Sequence, residues 1–219
     1  RSKPTGYYSH ISTTSFFGAH VINALGGGGM VMVNNPAWRK RLVVLRGWGR
    51  SSSLFSESED LKLRFAVRLA GMPYDGKFLF TELGYNFLPL EASAAFGLAQ
   101  LKKLSRFTKI RQHNFALLLK FFARFPNIFE LPFQMPGSFT NWLAFPLTIK
   151  VSAPFTRHDL VIYLEKNNIQ TRPVFTGNIL RQPVLSRRYS HKEASAFPVA
   201  DFVMKQSLLV GCHQGLGTP

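Results

Sequence analysis

The stretch "TTSFFGAHVINALGGGGMVMVNN", residues 13–35, decides how this chain is interpreted. Two short apolar segments, "HISTTSFF" and "MVMVNN", flank a run of four glycines, which predicts two strands joined by a loop. Asn35 precedes Pro36, and proline favours the first position of a helix, so a helix is expected from there to about Gly47. Strand, loop, strand and helix in this order predict an α/β fold.

Composition limits the class of protein. The chain has 219 residues, of which 46% are hydrophobic and 21 are phenylalanine, so a globular chain with a well-filled core is expected. Lys and Arg number 27 against 11 Asp and Glu, a formal net charge of +16. This excess predicts a surface that attracts anions such as phosphates. No apolar run approaches the roughly 18 residues of a membrane-spanning helix, so no membrane partner is expected.

The single cysteine, Cys212, limits the redox and metal chemistry of the chain. One thiol cannot build a disulfide framework or an all-thiolate metal site, and a reducing, cytoplasmic location is expected. The chain begins at Arg1 without Met and enters a motif-rich segment at once. We therefore expect it to be part of a longer protein.

The middle of the chain predicts a long connection followed by helices. Trp48 to Leu88 is rich in turn residues, and loops of this length are usually functional. One helix is expected from Pro89, and a second is expected to be capped by Ser105. Apolar residues at helical spacing in the second helix are expected in the core. They are Phe107, Ile110, Phe115, Leu118 and Phe122.

A Pro/Gly junction near residue 137 predicts the start of a smaller α/β domain, residues 137–219. Within it, Thr156 and Asp159 predict an acidic variant of the capping box and a helix to about Asn167. The remaining elements are expected in four segments: strands in "NWLAFPLTI", "IQTRPVF" and "SLLVGCH", and a helix in "FPVADFVMKQ".

Five segments, spread over nearly the whole chain, resemble the DegT-type (DegT/DnrJ/StrS) sugar aminotransferase family. Members of this family have the aspartate aminotransferase fold (fold type I) and use pyridoxal 5'-phosphate on nucleotide-linked keto sugars. The resemblance implies that residues 1–136 are the C-terminal part of the cofactor-binding large domain with its connecting helices, followed by the small domain. The segments are "SFFGAH" with the glycine run, "RGWGR", "PYDGKFLFTELGYNFLPLEASAAFGLAQLKKL", "WLAFPLTIKVSAPFTRHDLVIYLEKNNIQTRPVFTGNILRQP" and "FPVADFVMKQSLLVGCHQGL".

His20 stands where the family usually has a lysine that forms an imine with the cofactor. An imidazole cannot form that imine. This exchange and the segment "TRPVFTGNILRQP" resemble the NDP-4-keto-6-deoxyhexose 3-dehydratase branch, whose cofactor can remain as pyridoxamine 5'-phosphate while a base promotes loss of the sugar's C3 hydroxyl. The resemblance implies that His20 is this base, since imidazole exchanges protons near neutral pH. Without the resemblance, a lone histidine is more often structural.

Five further residues have predicted roles, of which those of Ser15 and Asn86 are implied by the resemblance. Ser15 and Asn86 match positions that contact the cofactor phosphate, the asparagine commonly across a dimer interface, so a homodimer is expected. Arg172 and Arg181 are predicted to bind the diphosphate or another oxyanion of the nucleotide-diphosphate keto-sugar substrate, because guanidinium groups pair bidentately with oxyanions. Asn178 is predicted to contact the sugar. By residue type alone, Ser15 is also an ordinary strand serine, and both asparagines are also turn residues.

Two departures from the family bear on mechanism. The run Gly26–Gly29 lacks the acidic residue of the family's glycine segment, and we assign it only the role of letting the loop pass close to the cofactor. The dehydrase of this branch that acts on a CDP-linked hexulose carries an iron–sulfur cluster on cysteines after its "RGWGR"-like motif, where this chain has Ser51, Ser52 and Ser53. Serines do not replace thiolate ligands, so neither an iron–sulfur cluster nor another metal is expected. Glutamate is then the expected amino donor.

Two alternatives stay open at this point. A basic nucleic-acid-binding module is compatible with the charge, but the basic residues are dispersed and no helix-turn-helix, zinc-finger or RNP signature occurs, so no nucleic-acid partner is expected. A catalytically silent relative with an assembly or regulatory role is the second alternative. In this fold, the residues that stack on the cofactor ring lie upstream, so the dehydratase prediction concerns the longer protein. The expected pathway is deoxysugar synthesis for cell-surface polysaccharide, including the lipopolysaccharide O-antigen.

Overall fold

The computed structural model describes residues 3–55 and 60–217. The chain divides into two compact units, Arg1–Leu101 and Lys102–Pro219, and the division falls within a 32-residue helix. The domain boundary expected at residue 137 lies inside the second unit, in a turn ahead of a strand, and stays a prediction.

The first unit begins with an antiparallel pair of strands, β1 (Ile11–Ser15) and β2 (Gly29–Val33), as predicted. The register pairs Ser15, the last residue of β1, with Gly29, the first residue of β2, so the glycine loop joins the two strands at one end of the pair. Helix α1 (Pro36–Arg46) follows β2. Asn35 caps it, because its side chain accepts hydrogen bonds from two first-turn amides at 2.8 and 3.1 Å, and the predicted helix start is confirmed.

The connection from Trp48 to Leu88 is largely irregular, as expected from its turn residues. The described residues of this connection contain two 3-10 turns, Ser51–Leu54 and Gly76–Phe78. A one-turn helix α2 (Leu61–Arg64) and a hairpin of β3 (Val67–Leu69) and β4 (Met72–Tyr74) lie between them. The hairpin was not predicted, because three-residue strands are too short to show an alternating pattern. A further 3-10 turn, Thr5–Tyr8, precedes β1.

The second unit is built on an antiparallel sheet of four strands in the order β5-β6-β8-β7. The strands are β5 (Phe129–Glu130), β6 (Phe145–Ile149), β7 (Thr171–Pro173) and β8 (Ser207–Val210). From residue 91 to residue 217 the α-helices are α3 (Glu91–Phe122), α4 (Arg157–Lys166), α5 (Pro183–Ser186), α6 (His191–Ser195) and α7 (Pro198–Gln206). The three strands and the later helix predicted in this region are confirmed.

The core of the second unit lies between α3 and the sheet. Phe145, Leu147 and Ile149 alternate with less buried residues along β6, so one face of this strand is fully covered. Phe115 from α3 stacks on Trp142 at 4.1 Å between ring centroids. The buried cluster consists of Phe115, Phe129, Phe145, Leu147, Ile149, Leu208, Val210 and Cys212, with Leu118 and Phe122 partly buried against it. Phe107 and Ile110, also expected in the core, are half-buried outside this cluster.

Ser105 does not begin a helix, and this prediction was wrong. Helix α3 runs without interruption from Glu91 to Phe122. Good helix formers flank Ser105 on both sides and no Pro or Gly lies near it, so continuing the helix costs less than ending and restarting it. The capping box predicted at Thr156 is confirmed: the Asp159 amide donates to Thr156 Oγ1 at 3.2 Å and the Thr156 amide donates to Asp159 Oδ2 at 2.9 Å.

Arg111 is a buried charge within α3, with a relative exposure of 2%. Its guanidinium donates to Gln214 Oε1 at 2.7 Å and to the carbonyls of Trp142 and Leu143 at 3.0 Å each. Burial lowers its pKa from the ordinary arginine value. The side chain therefore fastens two loops of the second unit to the helix. Among the helices of the described residues, none combines the length and hydrophobicity that a bilayer crossing requires.

Candidate active site

The turn after β1 holds the predicted base and one predicted phosphate contact. His20 is half-buried, and its Nδ1 lies 3.0 Å from the carbonyl oxygen of Ser15. A carbonyl only accepts hydrogen bonds, so Nδ1 carries the proton and Nε2 of the neutral ring has a free lone pair. The Phe17 ring meets the imidazole edge-on, with 6.1 Å between the ring centroids. The imidazole is thus oriented as a proton acceptor through Nε2.

Ser15 ends β1 and lies beside His20. Its Oγ accepts a hydrogen bond from the Phe17 amide at 3.2 Å, which leaves its own proton available for donation. The residue is exposed. The structure therefore places Ser15 and His20 at one turn, where the main-chain carbonyl of Ser15 contacts the imidazole and the Ser15 hydroxyl keeps its proton for donation. The predicted roles of both residues stay predictions.

The glycine run closes this turn against β1. Phe16 N donates to Gly28 O at 2.9 Å and Gly18 N donates to Gly26 O at 3.1 Å. Gly26 and Gly28 have φ of +89° and +124°, conformations that side-chain-bearing residues rarely adopt. A Cβ at Gly26 would meet nothing within 4 Å, so backbone conformation and not crowding requires glycine there. The role of passing close to a cofactor stays a prediction.

Asn86 lies in the same unit, in an extended segment fixed to the end of α1. It forms a bridge with Gly47, while Trp48 N donates to Tyr85 O at 2.8 Å and Phe87 N donates to Arg46 O at 3.0 Å. Its side chain is exposed, and within residues 3–55 and 60–217 it has no hydrogen bond to His20 or Ser15. The expected contact across a dimer interface stays a prediction.

Two of the three predicted substrate residues belong to an internal network of the second unit. Asn178 is 2% exposed, and its Nδ2 donates to Ala194 O at 2.8 Å and to Asp201 Oδ1 at 2.9 Å. Arg181 donates to both carboxylate oxygens of Asp201. The Arg181 and Asn178 side chains hold the pKa of Asp201 well below its usual range, and Asp201 in turn raises the pKa of Arg181.

This geometry gives Asn178 and Arg181 a structural role, and their predicted contacts with substrate stay predictions. Both N–H donors of the Asn178 amide are used internally. Asp201, the centre of the network, was missed in the sequence. Its only signal is a carboxylate on the amphipathic helix α7 of a strongly basic chain. Arg172 differs from both: it is exposed, and its Nη1 donates to the adjacent Thr171 carbonyl at 2.7 Å.

The three serines that follow the "RGWGR" motif form a 3-10 turn. Their hydroxyls donate to backbone carbonyls: Ser51 to Leu79 at 3.3 Å, Ser52 to Lys77 at 3.4 Å and Ser53 to Gly47 at 3.5 Å. They therefore fasten the turn to neighbouring segments. Within residues 3–55 and 60–217, no group of three or more His, Cys, Asp or Glu side chains is arranged to hold a metal ion.

Comparison with known proteins agrees with the arrangement of elements and motifs. Residues 1–219 match the DegT/DnrJ/EryC1/StrS aminotransferase family. The chain belongs to this family. The solved structure of the Escherichia coli GDP-4-keto-6-deoxy-D-mannose-3-dehydratase with bound hydrated PLP is similar, with a TM-score of 0.78, 27% identity, and coverage of 97% of this chain and 52% of that one. The predicted α/β aspartate aminotransferase fold (fold type I) is therefore confirmed.

Similar family members include two biosynthetic proteins of bacteria. The dTDP-4-dehydro-2,6-dideoxy-D-glucose 3-dehydratase of Saccharopolyspora spinosa is 34% identical over 219 residues, which cover 99% of this chain and 47% of that protein. The lipopolysaccharide biosynthesis protein RfbH of Salmonella typhimurium is 32% identical over 216 residues, covering 97% of this chain and 49% of that protein. The chain spans about half the length of the curated relatives it matches.

Proposed function

We propose that the protein containing this chain is a pyridoxal 5'-phosphate/pyridoxamine 5'-phosphate-dependent dehydratase that removes the C3 hydroxyl of an NDP-4-keto-6-deoxyhexose. His20 is its general base. The observation that carries the proposal is the 3.0 Å contact from His20 Nδ1 to Ser15 O, which leaves Nε2 as a proton acceptor. The relatives named as 3-dehydratases support the same reaction.

The side chains around His20 fit a cofactor that is held without a covalent bond. Imidazole does not form an imine with an aldehyde, and the Ser15 hydroxyl keeps its proton for an oxyanion. The exposed Asn86 amide has two N–H donors and, within the described residues, no side-chain partner. Ser15 and Asn86 would therefore hold the phosphate. When bound, the cofactor would supply the amine that condenses with the keto group and the ring that withdraws electrons.

His20 moves a proton at Nε2 while its other nitrogen stays fixed. When Nε2 accepts a proton, the ring becomes an imidazolium, and the Ser15 carbonyl on Nδ1 stabilises the added charge. The same hydrogen bond keeps the ring from rotating between accepting and returning the proton. A lysine at this position would supply an amine in place of this oriented acceptor.

Finer features of the proposal rest on the family. Glutamate is the proposed amino donor, and a homodimer in the cytoplasm is the proposed form of the enzyme. A cluster-free mechanism is supported by Ser51–Ser53, whose hydroxyls stand after "RGWGR" and bond to carbonyls. The proposed product is a deoxysugar for cell-surface polysaccharide, a role supported by the similarity to RfbH.

The test is turnover of a 4-keto-6-deoxy nucleotide sugar by the protein that contains this chain, supplied with pyridoxal 5'-phosphate and glutamate. Mass analysis of the product should show loss of the C3 oxygen. His20→Asn should lower the rate at least about 100-fold, because it removes the proton acceptor. His113→Asn, an exposed histidine on α3, is the matched control and should keep full activity.

Other products would contradict the proposal. A sugar that gains an amino group and keeps its C3 oxygen would identify a transaminase. Absence of both a cofactor absorbance band and turnover would favour the catalytically silent relative. Equal loss of activity in the His20 and His113 variants would remove His20 from the chemistry.

A further inference from the structure

Phe17 lies between the two predicted site residues at the end of β1, Ser15 and His20. Its amide donates to Ser15 Oγ at 3.2 Å, and its carbonyl oxygen accepts a hydrogen bond from the His20 amide at 2.9 Å. The proposed dehydratase chemistry uses both neighbours of Phe17 but not Phe17 itself. The backbone of this residue therefore connects the two groups on which that chemistry depends.

A β-turn explains why the side chains of Phe17 and His20 meet. In such a turn the amide of the fourth residue donates to the carbonyl of the first, and the Cα atoms of these two residues lie within about 7 Å. Phe17 is the first residue and His20 the fourth. Gly18, the second residue, is also fixed, because its amide donates to Gly26 O at 3.1 Å. The turn that carries the imidazole is thus closed on Phe17 and on the glycine run.

The Phe17 ring is 59% exposed, so it contributes little to the core of the first unit. The preceding Phe16 is half-buried, as expected where successive side chains of extended backbone point to opposite sides. Among the ring contacts of residues 3–55 and 60–217, Phe17 takes part in that with His20 alone. In the part of the chain that the structure describes, the aromatic ring therefore serves the imidazole and not the core.

A single hydrogen bond leaves the plane of an imidazole free. The 3.0 Å bond from His20 Nδ1 to Ser15 O keeps the ring from turning over, but the ring can still tilt about this bond and move Nε2. Ser15 is exposed, so water competes for the same carbonyl. The Phe17 ring stands edge-on to the imidazole, with an angle of 77° between the planes and 6.1 Å between the centroids. This favoured arrangement of two flat rings supplies the second contact that sets the plane.

We propose that Phe17 is a positioning residue for His20, whose ring fixes the plane of the imidazole and thereby the direction of Nε2. Phe17 acts through His20 and needs no contact with substrate or cofactor. A misdirected Nε2 slows proton transfer, because the acceptor must lie within hydrogen-bond reach of the proton. The effect on the reaction rests on the proposed function. The orientation of His20 rests on the contacts within the turn.

Turnover of a 4-keto-6-deoxy nucleotide sugar by the protein that contains this chain tests the effect on the rate. Phe17→Ala keeps the backbone hydrogen bonds of residue 17 and removes the ring. We expect kcat to fall about tenfold and KM to change less than about twofold, because proton transfer is impaired and substrate binding is not. Phe17→Tyr keeps the ring and should restore most of the rate. Phe80→Ala is the matched control: it removes a phenylalanine of the same unit that is 58% exposed, and it should leave kcat and KM unchanged.

Nitrogen NMR of the same variants with isotope-labelled histidine, recorded without cofactor or substrate, tests the orientation itself. The chemical shifts of the two ring nitrogens show which of them carries the proton, and His20→Asn identifies the signals of this residue. We expect the proton on Nδ1 in the unmodified protein and in Phe17→Tyr. We expect a mixture of both neutral forms in Phe17→Ala, because a ring that tilts gives up its hydrogen bond to Ser15 O.

Four results would overturn the proposal. An unchanged kcat in Phe17→Ala would show that the ring has no effect on the rate. A raised KM with unchanged kcat would make the ring a substrate contact. A lowered kcat with the proton still on Nδ1 alone would separate the loss from the orientation of His20. An equal loss in Phe80→Ala would assign the effect to exposed aromatic surface in general.

The two proposals fail separately. A protein without dehydratase turnover, in which the proton of His20 still depends on the Phe17 ring, would leave the orientation standing and remove the proposed reaction. Dehydratase turnover at the full rate in Phe17→Ala would do the reverse. An unchanged thermal midpoint of Phe17→Ala excludes misfolding as the cause of a lost rate.

Discussion

At the scale of single residues, Asp201 tests whether Arg181 and Asn178 are structural. Folding lowers the pKa of Asp201, chiefly through Arg181 and then through Asn178, so the ionised carboxylate favours the folded state. This contribution is complete above the ordinary aspartate pKa of about 4 and is lost as the pH falls below it toward the lowered value. We therefore expect Asp201→Asn to be less stable than the unmodified protein at neutral pH, and the difference to shrink below about pH 4.

Urea unfolding at a series of pH values measures this difference. Glu130→Gln, which removes an exposed carboxylate that forms no ion pair within the described residues, is the control. A difference between Asp201→Asn and the unmodified protein that stays constant from neutral to acid pH would contradict the structural network. Arg181 would then again be available as a substrate ligand.

At the scale of elements, local residue patterns predicted the starts of α1 and α4 and most strands. A cap-forming residue inside the continuous helix α3 gave a wrong helix start. Asn35 with Pro36, and Thr156 with Asp159, were recognisable because cap and helix former lie within a few residues. Ser105 is likewise a residue type that favours N-cap positions, but helix α3 passes through it. The sheet order β5-β6-β8-β7 could not be predicted from the sequence, because the pairing of distant strands depends on tertiary packing.

In the candidate site, too, some residues were recognised in the sequence and others were missed. His20 and Ser15 were singled out through the family resemblance, and the structure places them five residues apart at one turn, where their roles stay predictions. Asp201 was not predictable as the centre of a network, because its partners Asn178 and Arg181 lie in another segment of the chain. Arg111 sits among apolar neighbours of α3, and its burial depends on carbonyls that arrive from residues 142 and 143.

The helix continuing through Ser105 predicts opposite signs for two alanine substitutions. Ser105→Ala should raise the free energy of unfolding by about 0.4 kcal/mol, because alanine is the better helix former at an interior position. Thr156→Ala should destabilise the protein by about 1 kcal/mol, because it removes a true N-cap. Urea unfolding at neutral pH measures both. A loss of about 1 kcal/mol in Ser105→Ala would mean that a helix begins there after all.

At the scale of the whole molecule, the exposed surface predicts association. Two separate globular units of half the mass of this 24.7 kDa chain would together expose about 12,000 Å². The chain exposes 16386 Å², and large apolar side chains contribute to it, such as Leu83 at 97% and Phe175 and Val151 at 78%. Apolar surface of this extent favours burial against another protein surface. The remainder of the longer protein and the second copy in the proposed homodimer are the two surfaces that would cover it, and residues 1–219 produced alone retain only the second.

We therefore expect residues 1–219, produced alone, to show a mass of at least twice 24.7 kDa by light scattering. The net charge of +16 opposes this association. In 0.1 M salt, charge repulsion over distances longer than about 10 Å is largely screened. Apolar contacts are not screened, so added sodium chloride should strengthen association and lower the concentration at which it begins. Light scattering in 0.05 to 0.5 M salt, roughly the range over which screening lengths shorten below 10 Å, measures the trend. A monomer that binds no hydrophobic dye, or an assembly that salt dissolves, would show that the exposed apolar surface does not drive association.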